Sequence, residues 1–362
     1  MPLDESALGP GELSSLMRFR DQDLEAARAG LGRIAAAVAY AYNAQQGVGL
    51  DPSGAPGAPI FEMPRARVNA GPGNTGNATL FPDVVDASAL KASDYGITWD
   101  GSAYTVTRLS DDTRTTVAAW PAVIDGLSIS LTGGAPQPGD RFLLRSGSAF
   151  AAGFDTTGIS PSRLATALPA MPTAMTGNVG DAAAKDFRII GSGPNLGAEV
   201  LLTFDGAGSF TVTGTGTGGP VSVPYSEGMT VSYNGWSMTL TGIPAANDRI
   251  RVAAPADPSA DNRNARVLLG LGSAAIVDGQ GVTDAYANLL SDLGMRSQGA
   301  TASAALSGQM LADAKSALGS VAGVNLDEEA ARLLQYQQAY QAAAKVMAAA
   351  QAAFDTLLDV SR

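Results

Sequence analysis

A chain of 362 residues with 45% hydrophobic side chains can bury a sizeable core and has room for two or three domains. It carries neither cysteine nor histidine, which excludes thiolate nucleophiles, disulfides, imidazole bases and most zinc or copper sites. Asp and Glu outnumber Lys and Arg by 34 to 23, a formal charge of -11, so a nucleic-acid backbone finds no electrostatic footprint here. No apolar run approaches the roughly 20 residues of a membrane span, and Met1-Pro2-Leu3-Asp4-Glu5 lacks the basic start of a secretory signal, so neither a membrane partner nor Sec-type export is expected. With 43 Gly and 6% aromatics, the composition suits extended β-modules and closely packed helices better than a ligand-lined cavity. A structural, non-enzymatic protein without cofactor or metal is the expectation.

In chain order, residues 11–46 read as a first helix, because Leu24, Ala27, Leu31, Ile34, Val38 and Ala41 keep the spacing of an apolar stripe. This helical segment is placed at 1–48. Residues 49–77 read as a linker of Pro and Gly punctuation. From about 78 to 255 the period changes to two, and the pattern repeats. Thr98-Trp-Asp-Gly, Tyr104-Thr-Val-Thr, Asp125-Gly-Leu-Ser-Ile-Ser-Leu-Thr-Gly and Gly139-Asp-Arg-Phe-Leu return in the same order as Thr203-Phe-Asp-Gly, Phe210-Thr-Val-Thr, Asn234-Gly-Trp-Ser-Met-Thr-Leu-Thr-Gly and Asn247-Asp-Arg-Ile-Arg. The Asp-Gly and Asn-Gly pairs sit where hairpin turns need positive φ, so what repeats is a β-fold. Two tandem, mostly antiparallel β-modules are expected at 78–152 and 181–256, joined by an Ala, Pro and Thr-rich segment at 153–180.

Residues 257–281 hold a short helix (262–269) and a linker, and 282–362 a long helical hairpin. Its first helix spans 282–318, with Tyr286, Leu290, Leu293, Leu311, Leu318 and Val321 in an alternating four-three seam. After a tight link at 319–323, Asn325 can cap the last helix with Glu328 three residues on, and Asp327, Glu328 and Glu329 suit the positive end of its dipole. The last seam comprises Leu326, Ala330, Leu333, Gln337, Tyr340, Ala344, Met347, Gln351, Phe354 and Leu358, with Tyr336 beside it. Roughly 35 residues per helix make an antiparallel rod about 50 Å long. Two helices leave part of each stripe wet, so a further element must cover it. The fold class is therefore multidomain α plus β, with β-modules inserted between helical terminal segments that form a coiled-coil-like domain.

Several motifs have bland readings. Gly71-Pro-Gly-Asn-Thr-Gly has the glycine spacing of a dinucleotide loop but lacks the strand before it and the helix after it. Ser88-Ala-Leu-Lys91 matches SxxK without companion Ser-Asp-Asn or Lys-Thr-Gly elements. Asp100, Asp111, Asp112, Asp125 and Asp140 never form the alternating loop of a calcium site. Trp99 and Trp236 lie in repeated strand patterns and read as core, while Trp120 is the one candidate for an exposed glycan contact.

The closing run Gly323-Val-Asn-Leu-Asp-Glu-Glu-Ala-Ala-Arg-Leu-Leu-Gln-Tyr-Gln-Gln-Ala-Tyr-Gln-Ala-Ala-Ala-Lys-Val-Met, followed by Phe354-Asp-Thr-Leu-Leu, resembles the flagellar hook-associated protein 1 family. Phe19-Arg-Asp-Gln-Asp-Leu, Asn43-Ala-Gln, Tyr104-Thr-Val-Thr-Arg-Leu-Ser-Asp, Gly139-Asp-Arg-Phe and Asp261-Asn-Arg-Asn-Ala carry the same likeness across nearly the whole chain. The resemblance implies a structural subunit of the bacterial flagellum at the hook-filament junction, extracellular and exported through the flagellar type III channel. It also implies partners: further copies of the chain, hook protein, hook-associated protein 3, and an export chaperone on the C-terminal helices. Hook and rod proteins share a similar last helix, and another axial protein or an extracellular glycan-binding β-module protein are the alternatives. The family's N-terminal helix and Asn/Thr-rich export region do not precede Met1, so the chain is expected to be the C-terminal part of a longer protein or a trimmed form.

Overall fold

A computed structural model of the chain describes residues 11–63, 65–218, 221–323 and 325–361. It forms two compact units, Met1–Leu293 and Gly294–Arg362. Helices occupy both ends of the described chain and antiparallel sheets its middle, the expected class. The first ten residues of the expected helical segment 1–48 lie outside the described residues.

The first unit opens with α1 (Glu12–Arg18), one π turn (Phe19–Asp23) and α2 (Leu24–Val48), a nearly continuous helical run. The face that α2 buries overlaps the expected stripe only in part: Ile34 is buried, while Leu24, Ala27, Val38 and Ala41 are half-buried. Ala29, Gly30, Gly32, Ile34, Ala35, Ala36, Ala37 and Ala39 point inward, whereas Leu31 is 48% exposed. The reason is a backbone-to-backbone crossing with the short helix α3 (Gly147–Ala152): a Cβ built on Gly32 would lie 1.8 Å from the Gly147 carbonyl oxygen. Only residues without bulk allow that approach.

The strands are β1 (Arg67–Ala70), β2 (Thr79–Val84), β3 (Tyr95–Trp99), β4 (Tyr104–Arg108), β5 (Arg114–Val117), β6 (Ala122–Ile124), β7 (Leu127–Gly133) and β8 (Arg141–Arg145). The second set is β9 (Met171–Ala174), β10 (Ala183–Ile189), β11 (Val200–Phe204), β12 (Ser209–Gly214), β13 (Val221–Pro224), β14 (Thr230–Tyr233), β15 (Trp236–Thr241) and β16 (Arg249–Ala253). The first module pairs a sheet β1-β8-β3-β4-β5 with β2-β7-β6, and the second pairs β9-β16-β11-β12-β13 with β10-β15-β14. Each strand thus corresponds to the one eight places earlier, so the duplication covers an entire eight-stranded double sheet. Period-two burial places Ile97, Val106, Ile129 and Leu144 in one core, and Val200, Leu202, Phe210, Trp236 and Ile250 in the other.

Two boundaries differ from the expectation. β1 lies within residues 49–77, read as a linker, and β9 within 153–180, read as a connector. Arg-Val-Asn-Ala and Met-Pro-Thr-Ala carry no apolar alternation; they are edge strands held by ladder bonds to β8 and β16.

The duplication extends to buried hydrogen bonding. Asp140, 1% exposed, accepts from the backbone N–H groups of Thr75, Gly76 and Gln137, and Asp248, equally buried, accepts from those of Val179, Gly180 and Ala245. Beside them, Asn74 exchanges two bonds with the Arg141 backbone and Asn178 does the same with Arg249. Each module is therefore closed by the same carboxylate clasp, and these backbone donors hold both carboxyls below the usual range.

Beyond the modules come α4 (Arg263–Leu271), α5 (Val282–Ala322) and α6 (Leu326–Val360). α4 is tied to the end of α2 by polar contacts: Gln45 donates to Asn264 Oδ1 at 2.5 Å, and Asn264 donates to the Ala165 carbonyl at 2.6 Å. α5 continues through residues 319–322, expected to form the link, and the break falls at 323–325, where Val324 lies outside the described residues. At 1.5 Å per residue, the 41 residues of α5 extend about 60 Å and the 35 of α6 about 50 Å.

Candidate assembly surface

The root of α5 is anchored inside the first unit. Ala285 is buried with Ile34, Ala37 and Val277, and Leu289 packs so closely on α2 that a Cβ on Gly30 would meet its Cδ1 at 2.6 Å. Just before α5, Val277 and Gln280 exchange two backbone bonds around Asp278-Gly279, both at positive φ. The Asp278 carboxylate takes Arg33 Nη1 of α2 at 3.0 Å and Lys91 Nζ of the first module at 2.8 Å. One side chain thereby ties together α2, the first β-module and the α5 root. The sequence carried the Asp-Gly turn signal, but nothing in it named the two cations, which come from residues 187 and 245 positions away.

Asp278→Asn keeps a residue that tolerates positive φ while removing the charge. We expect a loss of about 1–2 kcal/mol, with faster amide exchange at residues 277–289 and unchanged exchange in the second module.

Past this root the environment changes. Every residue of 294–361 whose burial is described is exposed. The seams of α5 and α6 therefore do not bury one another within a single chain, and the expected packed hairpin is replaced by two solvated helices. Leu311 and Leu318 are exposed, as is Leu290 nearer the root, and Leu293 is half-buried. On α6, Leu326, Ala330, Leu333, Tyr336, Gln337, Tyr340, Ala344, Met347, Phe354 and Leu358 are all exposed, with Leu333 at 60%, Tyr340 at 78% and Phe354 at 64%. Leu333, Tyr336, Gln337, Tyr340 and Gln341 together line a shallow groove along the helix. Their spacing gives one continuous flank of i, i+3, i+4 neighbours.

The start of α6 is capped by Asn325, whose Oδ1 accepts from Asp327 N at 3.1 Å. Glu328 does not complete a reciprocal capping box. Its carboxylate instead takes Arg332 Nη2 at 3.3 Å, while Glu329 takes Arg332 Nη1 at 3.3 Å. One turn along the helix, Arg332 offers a stronger charge-assisted partner than the cap's own backbone N–H.

The residues weighed for chemistry are engaged elsewhere. Ser88 donates to Asp86 while Lys91 reaches Asp278, so the SxxK pair is not an assembled nucleophile and base. Asp100 closes a turn on Ser102 and Ala103, and Asp111 takes Thr113 N and Arg108. Asp125 accepts both Arg108 Nε and Nη2 and the Tyr95 hydroxyl. Burial and the Asp125 charge push the Tyr95 hydroxyl well above its ordinary range, keeping it a donor. Contrary to expectation a strand, β1, does precede Gly71-Pro-Gly-Asn-Thr-Gly, but β2 and not a helix follows, and the loop is pinned by Asn74 and Asp140. Trp236 is fully buried; Trp99 and Trp120 are half-buried, with ring centroids 4.4 and 5.0 Å from that of Tyr104. Trp120 is thus part of the rim of the first core.

Comparison with known proteins accords with this architecture. Residues 2–61 match a family model described as the flagellar hook-associated protein FlgK helical domain, and residues 69–146 match the flagellar hook-associated protein 1 D2-like domain. Residues 318–360 match the flagellar basal body rod FlgEFG protein C-terminal model. The chain is 28% identical over 366 aligned residues to flagellar hook-associated protein 1 of Escherichia coli, covering 99% of this chain and 51% of the relative. It is 29% identical over 363 residues to that of Salmonella typhimurium, with the same coverage. The chain thus spans about half the length of the curated relatives it matches. Among solved structures, the hook junction protein FlgK from Burkholderia pseudomallei superposes with a TM-score of 0.77 at 27% identity, covering 88% of this chain and 64% of that one.

Proposed function

The chain belongs to the flagellar hook-associated protein 1 family, and on that premise we propose that it is a structural, non-enzymatic subunit of the bacterial flagellum, placed at the hook-filament junction. The observation that carries this reading is the pair of long helices whose apolar seams are exposed from residue 294 to 361. Such surface is costly in water and is the material of coiled-coil association, in which identical subunits bury one another's seams. The β-modules, each with its own closed core, act as the projecting part. The chain is exported by the flagellar type III route, reaches the cell exterior, and meets further copies of itself, hook protein and hook-associated protein 3. An export chaperone covers the C-terminal helices before assembly. The match of residues 318–360 to rod proteins supports a shared axial packing mode for α6, while the matches over 2–61 and 69–146 favour the junction protein over hook or rod.

The test is Leu333→Asp combined with Tyr340→Asp in the native gene. Both positions are already exposed, so the isolated chain should keep its melting temperature while junctions fail to form and swimming is lost. Normal filaments and normal motility in that strain would sink the assignment.

A further inference from the structure

The first β-module carries a basic cleft in an otherwise acidic chain. Arg65, Arg67 and Arg145 line it together with Met63, Asn69 and Ser148, and its volume is about 460 Å³. Arg67 and Arg145 are direct cross-strand partners in the β1–β8 ladder. Like charges facing each other at roughly 5 Å between Cβ atoms destabilise a sheet unless an anion sits between them. Arg65 and Arg145 act on Tyr40 and Asp94 through their charge alone, and no hydrogen bond or ion pair joins any of the three arginines to another described residue. β1 is also the edge strand of its sheet.

Charged side chains on an edge strand can serve merely to block unwanted pairing. That role needs no cleft and no facing arginine on the neighbouring strand, and the equivalent pair in the second module is Met171 and Ala253, without charge. The geometry points to a docking site for an extended acidic segment of another protein. We propose that this segment presents carboxylates on alternate residues, so that both face the arginines. Arg65 and Arg67 are two residues apart, about 7 Å along an extended chain, which matches the repeat of such a strand. Guanidinium groups bind carboxylates through paired hydrogen bonds. The segment is assigned to a different protein because no described strand of this chain carries two acidic residues; Asp83 and Asp186 are single.

The measurement is fluorescence anisotropy of the full chain with a labelled Val-Glu-Val-Glu-Val-Glu peptide, read on single chains and hence independent of junction assembly. Binding should weaken about tenfold or more in Arg67→Ser/Arg145→Ser, with no fall in melting temperature, and should weaken with salt. Should that variant fold poorly, Arg67→Lys/Arg145→Lys preserves the charge and should still lose affinity. Three results would overturn the proposal: no binding at about 1 mM peptide, near physiological ionic strength, equal affinity for Glu-Glu-Glu-Val-Val-Val, or equal affinity in wild type and both variants. Self-association of the chain that disappears in the serine variant would assign the cleft to a second copy and overturn the heterologous partner.

Discussion

Gly32→Ala should destabilise the first unit by at least about 3 kcal/mol in chemical denaturation. The added methyl would sit 1.8 Å from the Gly147 carbonyl oxygen and 2.7 Å from its carbon. Both are backbone atoms, so no rotamer change relieves the clash. The reverse substitution, Gly147→Ala, meets the Cα of Ala29 at 2.4 Å and should behave the same way. Gly47 is the internal control. It lies in the same helix with nothing within 4 Å of the point where a Cβ would stand, so Gly47→Ala should instead stabilise by up to about 1 kcal/mol through helix propensity. If Gly32→Ala proved neutral, the α2–α3 crossing described above would be wrong.

The second expected result concerns the duplicated clasp. Asp140→Ala and Asp248→Ala each remove a buried acceptor shared by three backbone N–H groups, and each should lower the melting temperature of its own module by several degrees, roughly 5–10 °C. The same groups set the pH profile. Their folded-state values are depressed, so the stability they contribute is fully present above the unfolded carboxylate value near 4 and is lost as pH falls through the lower folded value. Asp51, Asp100 and Asp205 shift in the same direction and reinforce the effect. Asp94 opposes it, because burial raises its carboxyl and the folded state gains relative stability when that group protonates. With no histidine and no cysteine in the chain, little else titrates between pH 5 and 8. Melting temperature should therefore be flat across that window and drop below about pH 4, and less steeply in the Asp140→Ala/Asp248→Ala double variant. A sharp transition near pH 6 would contradict this account.

How much of this was legible in advance differs from element to element. Tyr104-Thr-Val-Thr and Phe210-Thr-Val-Thr announced β4 and β12 because both keep the period-two rule and flank Gly-containing turns. β1 and β9 escaped because edge strands take their structure from a neighbour's ladder, which leaves no local apolar pattern. The stripe on α2 coincides with the buried face only in part for a related reason: periodicity locates a large-residue face, whereas the partner α3 demands a face of alanine and glycine. On α6 the apolar spacing from Leu326 to Leu358 and the Asn325 cap were both legible, and the structure leaves that spacing exposed to solvent. The Glu328 reciprocal bond could not be decided that way, since Arg332 competes for the same carboxylate.

Local rules sufficed wherever the physical cause is local. Cap chemistry, turn glycines, strand alternation, the absence of His and Cys, and the internal repeat all lie in stretches of a few residues, so the sequence by itself determined the α–β–β–α class and the duplicated modules. Long-range placement belonged to tertiary structure. Only the fold brings Arg33 and Lys91 to Asp278, sets Arg67 opposite Arg145, and leaves residues 294–361 exposed along both seams. Those outcomes depend on which surfaces find a partner, and heptad spacing states that a helix needs one without stating whether it lies in the same chain.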